Sequence, residues 1–177
     1  MTDRREFHPL QAQEVARAFN DQGVDYLFIG KSGAILLGFP GTTQDVDVFP
    51  ARSAENGQRI VAALRGIGFD IPPGLEAEIV AGKDFVQIKT GPFDVDLGFA
   101  PDGIASFEEV RSRGLLEGIF HVANLRDIIA SKRASGRQKD QLDLPLLESF
   151  RVEYDKAHAP QLRSAADITA RDQSRCP

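Results

Sequence analysis

The chain is poor in the residues that form disulfides and zinc sites. It contains one cysteine, Cys176, and three histidines, His8, His121 and His158, which are not at ligand spacing. A single cysteine excludes a disulfide framework and a cysteine-based zinc site. No apolar run is long enough to cross a membrane, and the N-terminal MTDRREFHPL lacks the apolar stretch of a signal peptide. We therefore expect a soluble, cytoplasmic protein with no membrane partner.

The chain also has fewer basic than acidic side chains. The 177 residues include 21 basic and 26 acidic side chains, which gives a net charge of −5. This balance excludes a broad basic surface for nucleic acid and leaves only a local patch. With 42% apolar residues the chain is able to build a core. We expect one domain over residues 1–150, followed by a polar C-terminal tail over residues 151–177 that is either a short helix or disordered.

Periodicity predicts both helices and strands. Apolar runs predict strands, two of which are joined by Thr90-Gly91-Pro92 as a hairpin. Pro72-Pro73-Gly74 is interpreted as a turn, and Pro145 is expected to end or kink the last helix. The predicted helices cover 11–22, 32–37, 53–64, 124–136 and a stretch to 150, and the strands cover 26–29, 46–49, 85–89 and 93–97.

The Gly30-Lys31-Ser32 turn follows an apolar strand and invites comparison with a P-loop. That motif needs a glycine five residues before the Gly-Lys pair, and this position is Asp25. We therefore reject the P-loop interpretation.

Two Asp-x-Asp pairs are the most informative feature. Asp45 and Asp47 flank a strand residue, and Asp94 and Asp96 have the same spacing on a later strand. Alternation places each pair on one face of its strand, where two like charges repel unless a cation lies between them. Carboxylates suit Mg²⁺, and converging pairs are typical of two-metal phosphoryl chemistry. The alternative is an ordinary solvated strand face.

Three segments have to be considered together, which are Phe28-Ile29-Gly30-Lys31-Ser32, Thr43-Gln44-Asp45-Val46-Asp47, and Asp96 in VDLGF. In this order they resemble the minimal nucleotidyltransferases of the polymerase-beta superfamily. The later segment VANLRDIIASKRASGRQKDQLDL also resembles the AbiEii-type, or toxin–antitoxin, nucleotidyltransferases. The resemblance covers roughly residues 24–148 and implies an α/β (α+β) fold with a mixed sheet, flanking helices and a C-terminal helical region.

The resemblance implies roles for the acids and for residues around them. Asp45, Asp47 and Asp96 would be catalytic and bind two Mg²⁺ ions, with Asp94 supporting them from the same strand face. The nucleoside triphosphate would contact four residues, which are Gly30, Ser32, Lys132 and Arg137. For the two basic residues, an exposed helix face is the alternative.

Besides Asp94, three positions are expected to support or regulate the site, which are Lys31, Thr43 and Asp140, and Gly41 is a departure from the family pattern. Lys31 replaces a glycine common in the family, so it would crowd the phosphate loop or add a charge to it. Gly41 stands where many relatives have arginine. Thr43 precedes the metal-binding strand and is a candidate for inhibition by modification or partner contact, the alternative being a plain strand-entry residue. Asp140 is expected either to support the site without touching the substrate or to regulate it.

The implied function is Mg²⁺-dependent transfer of a nucleoside monophosphate to a hydroxyl. The toxin-like resemblance implies a tRNA 3′ end as acceptor and a small antitoxin protein as partner. Small molecules such as aminoglycosides, or a protein, are alternative acceptors. A catalytically degenerate module that binds a nucleotide or a partner is the alternative from another class. The basic residues available for RNA are Arg126, Lys132, Arg133, Arg137 and Lys139.

Overall fold

The computed structural model describes residues 8–158 of the chain. Seven helices and six strands occur in this part. They are α1 (Pro9–Gln22), β1 (Tyr26–Phe28), α2 (Gly30–Leu36), β2 (Val46–Pro50), α3 (Ala54–Gly66), α4 (Pro73–Ala81), β3 (Phe85–Ile88), β4 (Val95–Gly98), α5 (Phe107–Ser112), β5 (Leu115–Glu117), β6 (Phe120–Val122), α6 (Leu125–Ser135) and α7 (Gln138–Ala157).

Side-chain caps and left-handed glycines set several helix ends. His8 accepts the Leu10 N–H at the start of α1. Ser53 and Asn124 cap α3 and α6 in the same way, as their sequence positions predicted. Helix α6 ends at Gly136, whose φ of 63° is a backbone conformation that favours glycine. These local signals explain why the predicted helix over 124–136 is confirmed.

The strands form one mixed sheet in the order β3-β4-β2-β1-β6-β5. Strands β3 and β4 are antiparallel, as the hairpin signal predicted, and β1 is antiparallel to β2. Strand β2 is parallel to β4, and β1 is parallel to β6. Helices α1, α3 and α4 pack in succession, and α2, α6 and α7 form a second group. The predicted class, an α+β fold with a mixed sheet and flanking helices, is confirmed.

A continuous apolar core holds the sheet and helices together. Each fully buried large apolar side chain contributes on the order of 1.5–3 kcal/mol relative to exposure. The Phe39 ring contacts Phe150 edge to face at 5.6 Å, which fixes the segment before β2 against α7. The largest fully buried core residues include Phe19, Phe28, Ile60, Leu64, Ile79, Ile88, Leu97, Ile128 and Leu147.

The structure contradicts the predicted turn at Pro72-Pro73-Gly74 and the prediction that Pro145 ends the last helix, whereas a kink at Pro145 stays a prediction. The predicted turn at Pro72-Pro73-Gly74 is the start of α4, because proline fits the first turn of a helix, where its missing N–H has no partner. Helix α7 continues through Pro145 to Ala157. The predicted boundary at residue 150 therefore lies inside α7, and the rest of the predicted tail, residues 159–177, lies outside the described residues.

Among residues 8–158, no helix is both long enough and apolar enough to cross a membrane.

Candidate active site

The structure brings the two Asp-x-Asp pairs together. Asp47 of β2 lies beside Asp96 of β4 as its partner in the parallel register. Asp45 and Asp94 stand one residue before these strands, and the Val46 N–H donates to the Asp94 carbonyl at 3.1 Å. Carboxylates that are far apart in the sequence therefore meet on neighbouring strands.

The electrostatics of the acid pair are unfavourable without a cation. Burial, then the nearby charges of Asp96 and Asp45, raises the pKa of Asp47 from 3.8 to about 7. Burial, then Asp45, raises the pKa of Asp96 from 3.8 to about 6. Such shifts mean that the fold penalises the ionised forms of both carboxyl groups.

One oxygen of this pair has no hydrogen-bond partner among residues 8–158. Asp96 is only 8% exposed. Its Oδ1 atom is buried and accepts no hydrogen bond from the described residues. A buried polar atom without a hydrogen-bond partner lowers the stability of the folded state by about 1–3 kcal/mol, so its presence in the fold calls for an explanation. A bound cation would supply both the missing contact and the missing charge.

The donor set fits a hard divalent cation. Asp45, Asp47 and Asp96 offer carboxylate oxygens only, which are the ligands that Mg²⁺ prefers. Within the described part of the chain, no three acidic, histidine or cysteine side chains are already arranged to hold an ion. Because like charges repel, carboxylates with no cation between them keep their oxygens apart, and ion binding would draw them together.

Gly30 allows the β1–α2 turn to approach the acids. Its φ is +66°, and a Cβ atom built there would lie 2.5 Å from Oδ2 of Asp47. A side chain at this position would both strain the backbone and displace the carboxylate. The predicted site residue Gly30 is thus in direct contact with the predicted site residue Asp47.

Ser32 holds the strand that carries Asp47. Its buried hydroxyl donates to the Ile29 carbonyl at 3.2 Å and accepts the Asp47 N–H at 2.9 Å. The hydroxyl therefore fixes the Asp47 backbone beside the turn. Its predicted contact with a nucleotide stays a prediction.

Lys132 and Arg137 meet on Asp140. The Lys132 ammonium and the Arg137 Nε donate to Asp140 at 3.0 and 2.8 Å, and the Ser135 hydroxyl donates at 2.6 Å. Burial alone would raise the pKa of Asp140, but these three donors lower it to about 2. Lys132 is 8% exposed, and its charge acts on Asp47. Asp140 thus fixes Lys132, whose charge reaches Asp47, and it also pairs with Arg137, the other predicted phosphate-binding residue.

Lys31 and Gly41 occupy a tight corner before β2. The Lys31 ammonium lies 3.2 Å from a carboxylate oxygen of Asp143 on α7, a pairing that the sequence does not reveal. A Cβ at Gly41 would lie 2.8 Å from the Phe39 ring and 3.1 Å from the Lys31 side chain. The packing of this corner explains why a large residue is absent there. Thr43 is partly buried in the same segment, two residues before the acid pair.

Lys139, which the sequence analysis placed only in a basic cluster, is one of the cations whose charge acts on the acids. Its charge lowers the pKa of both Asp47 and Asp96, so it lies near the two acids. In residues 8–158 it forms no ion pair, whereas Arg126 pairs with Asp155 and Arg133 with Glu148. The sequence signal that could have placed Lys139 near the acids is its position next to Asp140 on the first turn of α7.

A cavity elsewhere contains none of the predicted site residues. Its volume is about 310 Å³, and it lies around the start of β1 and around β5 and β6. Tyr26, Arg111, Leu116 and His121 are among its lining residues. Since the acids flank the other end of β1, the cavity does not extend the carboxylate site.

A comparison with protein-family models gives no match to this chain, and a comparison with curated proteins gives none either.

Proposed function

We propose that the chain is a Mg²⁺-dependent nucleotidyltransferase that moves a nucleoside monophosphate from a nucleoside triphosphate to a hydroxyl group. The observation that supports this most is the Asp47–Asp96 pair, in which both pKa values are raised and one buried oxygen has no partner among the described residues. A structure keeps such a pair at a cost, and perturbed carboxyl groups of this kind cluster at functional sites.

The acids would hold the cation and receive the proton. Asp45, Asp47 and Asp96 are the residues that would bind two Mg²⁺ ions. When bound, Mg²⁺ neutralises phosphate charge and aligns the attacking and leaving oxygens. Asp96 would accept the proton of the attacking hydroxyl through the carboxylate oxygen that does not contact the cation, and Asp94 would support it from the same strand face. Pyrophosphate is the expected leaving group.

The cations near the acids would bind the triphosphate. Asp140 holds Lys132 in a fixed position beside Asp47, which limits the reorganisation needed when a phosphate arrives. Lys139 has no carboxylate partner among residues 8–158 and would be available to the β- and γ-phosphates. Arg137 uses Nε on Asp140 and keeps its other N–H donors for a phosphate oxygen.

We propose RNA, and specifically a tRNA 3′ end, as the acceptor, on the strength of the toxin-like resemblance. The exposed guanidinium groups of Arg126 and Arg133 are paired with carboxylates on α7. Exposed ion pairs contribute only about 0–1 kcal/mol, so an RNA phosphate is able to replace the carboxylate. A small antitoxin protein would be the partner that silences this activity.

Transfer from a nucleotide labelled at the α-phosphate tests the proposal. Purified protein is incubated with Mg²⁺, each labelled triphosphate, and total tRNA, an aminoglycoside or a protein extract in separate reactions. We expect label on tRNA, none with EDTA, and none with Asp96→Asn. The matched control Asp102→Asn changes an exposed acid in a turn and should leave transfer intact. Label on the aminoglycoside or on protein alone would refute RNA as the acceptor. No label on any acceptor would refute the proposal that the chain is a nucleotidyltransferase.

The second candidate function is a nucleotide-binding module without catalysis. The observation that favours it is the engagement of Lys132 and Arg137 by Asp140, which leaves fewer free cations for a transition state. Metal-dependent triphosphate binding with no transfer to any acceptor would select this candidate.

A further inference from the structure

Strand β3 forms one edge of the sheet and exposes alternate side chains. Val86 and Ile88 are buried in the core, whereas Phe85 is 51% exposed and Gln87 is exposed. Lys89 follows the strand at the same two-residue spacing and is exposed as well. We call Phe85, Gln87 and Lys89 the β3 open face.

The register of the sheet places the β3 open face beside the acids. Gln87 is opposite Asp96 on β4, and Asp96 is opposite Asp47 on β2, so the three residues form one row on the same side of the sheet. Phe85 is the diagonal neighbour of Asp96, at about 7–8 Å between their Cα atoms. Burial raises the pKa of Asp96, and the charge of Lys89 opposes that rise, so this lysine also lies near the acids.

The strand position opposite Phe85 carries no side chain. Phe85 pairs with Gly98 in the antiparallel register. A Cβ atom built on Gly98 would lie 3.9 Å from the Pro101 ring and 4.0 Å from the Val48 carbonyl oxygen, which are ordinary contact distances. A planar group is therefore able to lie beside the Phe85 ring, in the place that a side chain at position 98 would fill.

Positive charge reaches the two central acids from different elements. The charge of Lys132, on α6, acts on Asp47 of β2. The charge of Lys89, after β3, acts on Asp96 of β4. In an in-line displacement the attacking and leaving oxygens lie on opposite sides of the phosphorus. A triphosphate bound by the cations of α6 and α7 would therefore leave the β3 side of the acids to the attacking hydroxyl.

We propose that the β3 open face binds the 3′-terminal nucleotides of a single-stranded RNA acceptor, an inference that rests on the proposed function. A base stacks on the Phe85 ring, as bases of single-stranded RNA do on exposed aromatic side chains. The Gln87 amide both donates to and accepts from ribose hydroxyls. Lys89 contacts a backbone phosphate, and the terminal 3′ hydroxyl lies beside Asp96.

The direction of these side chains favours RNA over a peptide. A peptide that adds to an edge strand pairs with its free backbone groups. Phe85, Gln87 and Lys89 instead project from the face of the sheet that carries the acids. An aromatic ring with a lysine two positions beyond an amide offers stacking and charge together, which is what a base and its phosphate need.

A single tryptophan makes the stacking directly measurable. The chain contains no tryptophan, so Phe85→Trp introduces the only one, at a half-exposed position that should accept the larger ring. A short single-stranded RNA with a free 3′ end, added with Mg²⁺ and a non-hydrolysable triphosphate, should quench its fluorescence. The matched control Leu116→Trp, at an exposed leucine on the other edge strand β5, should not be quenched. Equal quenching of both, no quenching of Phe85→Trp, or full quenching by the triphosphate alone would overturn the proposal.

Affinity measurements with the same RNA provide a second test. Phe85→Ala should raise the Kd of the RNA about fivefold or more and leave the triphosphate Kd within about twofold. Lys89→Ala should reduce the slope of log affinity against log salt by about 0.7, whereas Lys156→Ala, at the end of α7, should leave the slope unchanged.

The outcomes separate this inference from the proposed function, because neither binding measurement needs transfer. RNA binding that both β3 variants leave unchanged, in a chain that transfers label to tRNA, would overturn the inference alone. Slower transfer to a protein acceptor by Phe85→Ala, with unchanged RNA binding, would overturn it in favour of a peptide. Quenching of Phe85→Trp by RNA, with no transfer by the wild type to any acceptor, would support RNA binding and refute the nucleotidyltransferase.

Discussion

Replacing Asp47 by asparagine should stabilise the metal-free protein at alkaline pH. In the folded chain the pKa of Asp47 is about 7, against an ordinary value of 3.8. Between about pH 4 and 7 the Asp47 carboxyl group therefore holds its proton in the folded chain and has lost it in the unfolded chain. Stability should fall as the pH rises through this window and stay low above it. Asparagine has nearly the same shape and no charge, so it removes this loss.

The size of the effect follows from the pKa. A rise from 3.8 to about 7 corresponds to about 4 kcal/mol, at about 1.4 kcal/mol per pH unit. Asp47 is only partly buried, so solvent screening reduces the gain from Asp47→Asn to about 1–3 kcal/mol at pH 8. For a chain of this length that is a rise of roughly 3–10 °C in Tm.

Urea unfolding at pH 5 and pH 8, in EDTA, measures the effect. We expect Asp47→Asn to gain the full stability over the wild type at pH 8 and about two fifths of that gain at pH 5, which lies about one pH unit above the ordinary value of 3.8. Saturating Mg²⁺ should stabilise the wild type more than the variant. Asp102→Asn, an exposed acid outside the site, is the control and should show no pH-dependent gain. Identical gains from both variants, or no gain at pH 8, would refute the electrostatic reasoning.

Three further substitutions test the neighbours of the acids. Gly30→Ala should cost about 1–3 kcal/mol in urea unfolding because its φ is +66° and its Cβ meets a carboxylate, whereas Gly66→Ala, with open space around it, should be neutral or stabilising. Lys132→Ala should raise the triphosphate Kd at least tenfold in a fluorescent-nucleotide titration. The control Arg133→Ala should change the Kd less than threefold, which corresponds to about 0.6 kcal/mol. Equal effects of the two variants would indicate an ordinary basic helix face. Lys139→Ala should weaken triphosphate binding without loss of Tm, since this side chain is exposed and pairs with no acid in the described residues; an unchanged Kd would remove it from the site.

Local signals explain what could be predicted of the fold. Caps such as Ser53 and Asn124, and the glycine that ends α6, act through adjacent backbone groups and are visible in the sequence. Strands β5 and β6 have three residues each and, unlike the equally short β1, each includes a polar residue, so neither forms an apolar run. Helix α4 was missed because Pro73 is as suitable for a helix start as for a turn.

The candidate site could be predicted only in part, because some of its contacts depend on tertiary packing and not on local sequence. Strand alternation was enough to place Asp45 with Asp47, but not to show that β2 and β4 are parallel neighbours, which depends on the packing of the whole sheet. The Lys132–Asp140 pair joins two helices across a turn, and Lys31–Asp143 joins residues far apart in sequence. Such pairs are set by tertiary packing and leave no pattern in a single sequence.

Titration of the protein with Mn²⁺, followed by the electron paramagnetic resonance signal of the free ion, tests the central claim most directly. If the Asp47–Asp96 pair is a divalent cation site, the wild type should bind Mn²⁺, and a nucleoside triphosphate should tighten that binding. Mg²⁺ should compete for the same site. Asp96→Asn should lose the binding, whereas Asp102→Asn should keep it. Equal Mn²⁺ binding by the wild type and Asp96→Asn, with or without triphosphate, would contradict the account.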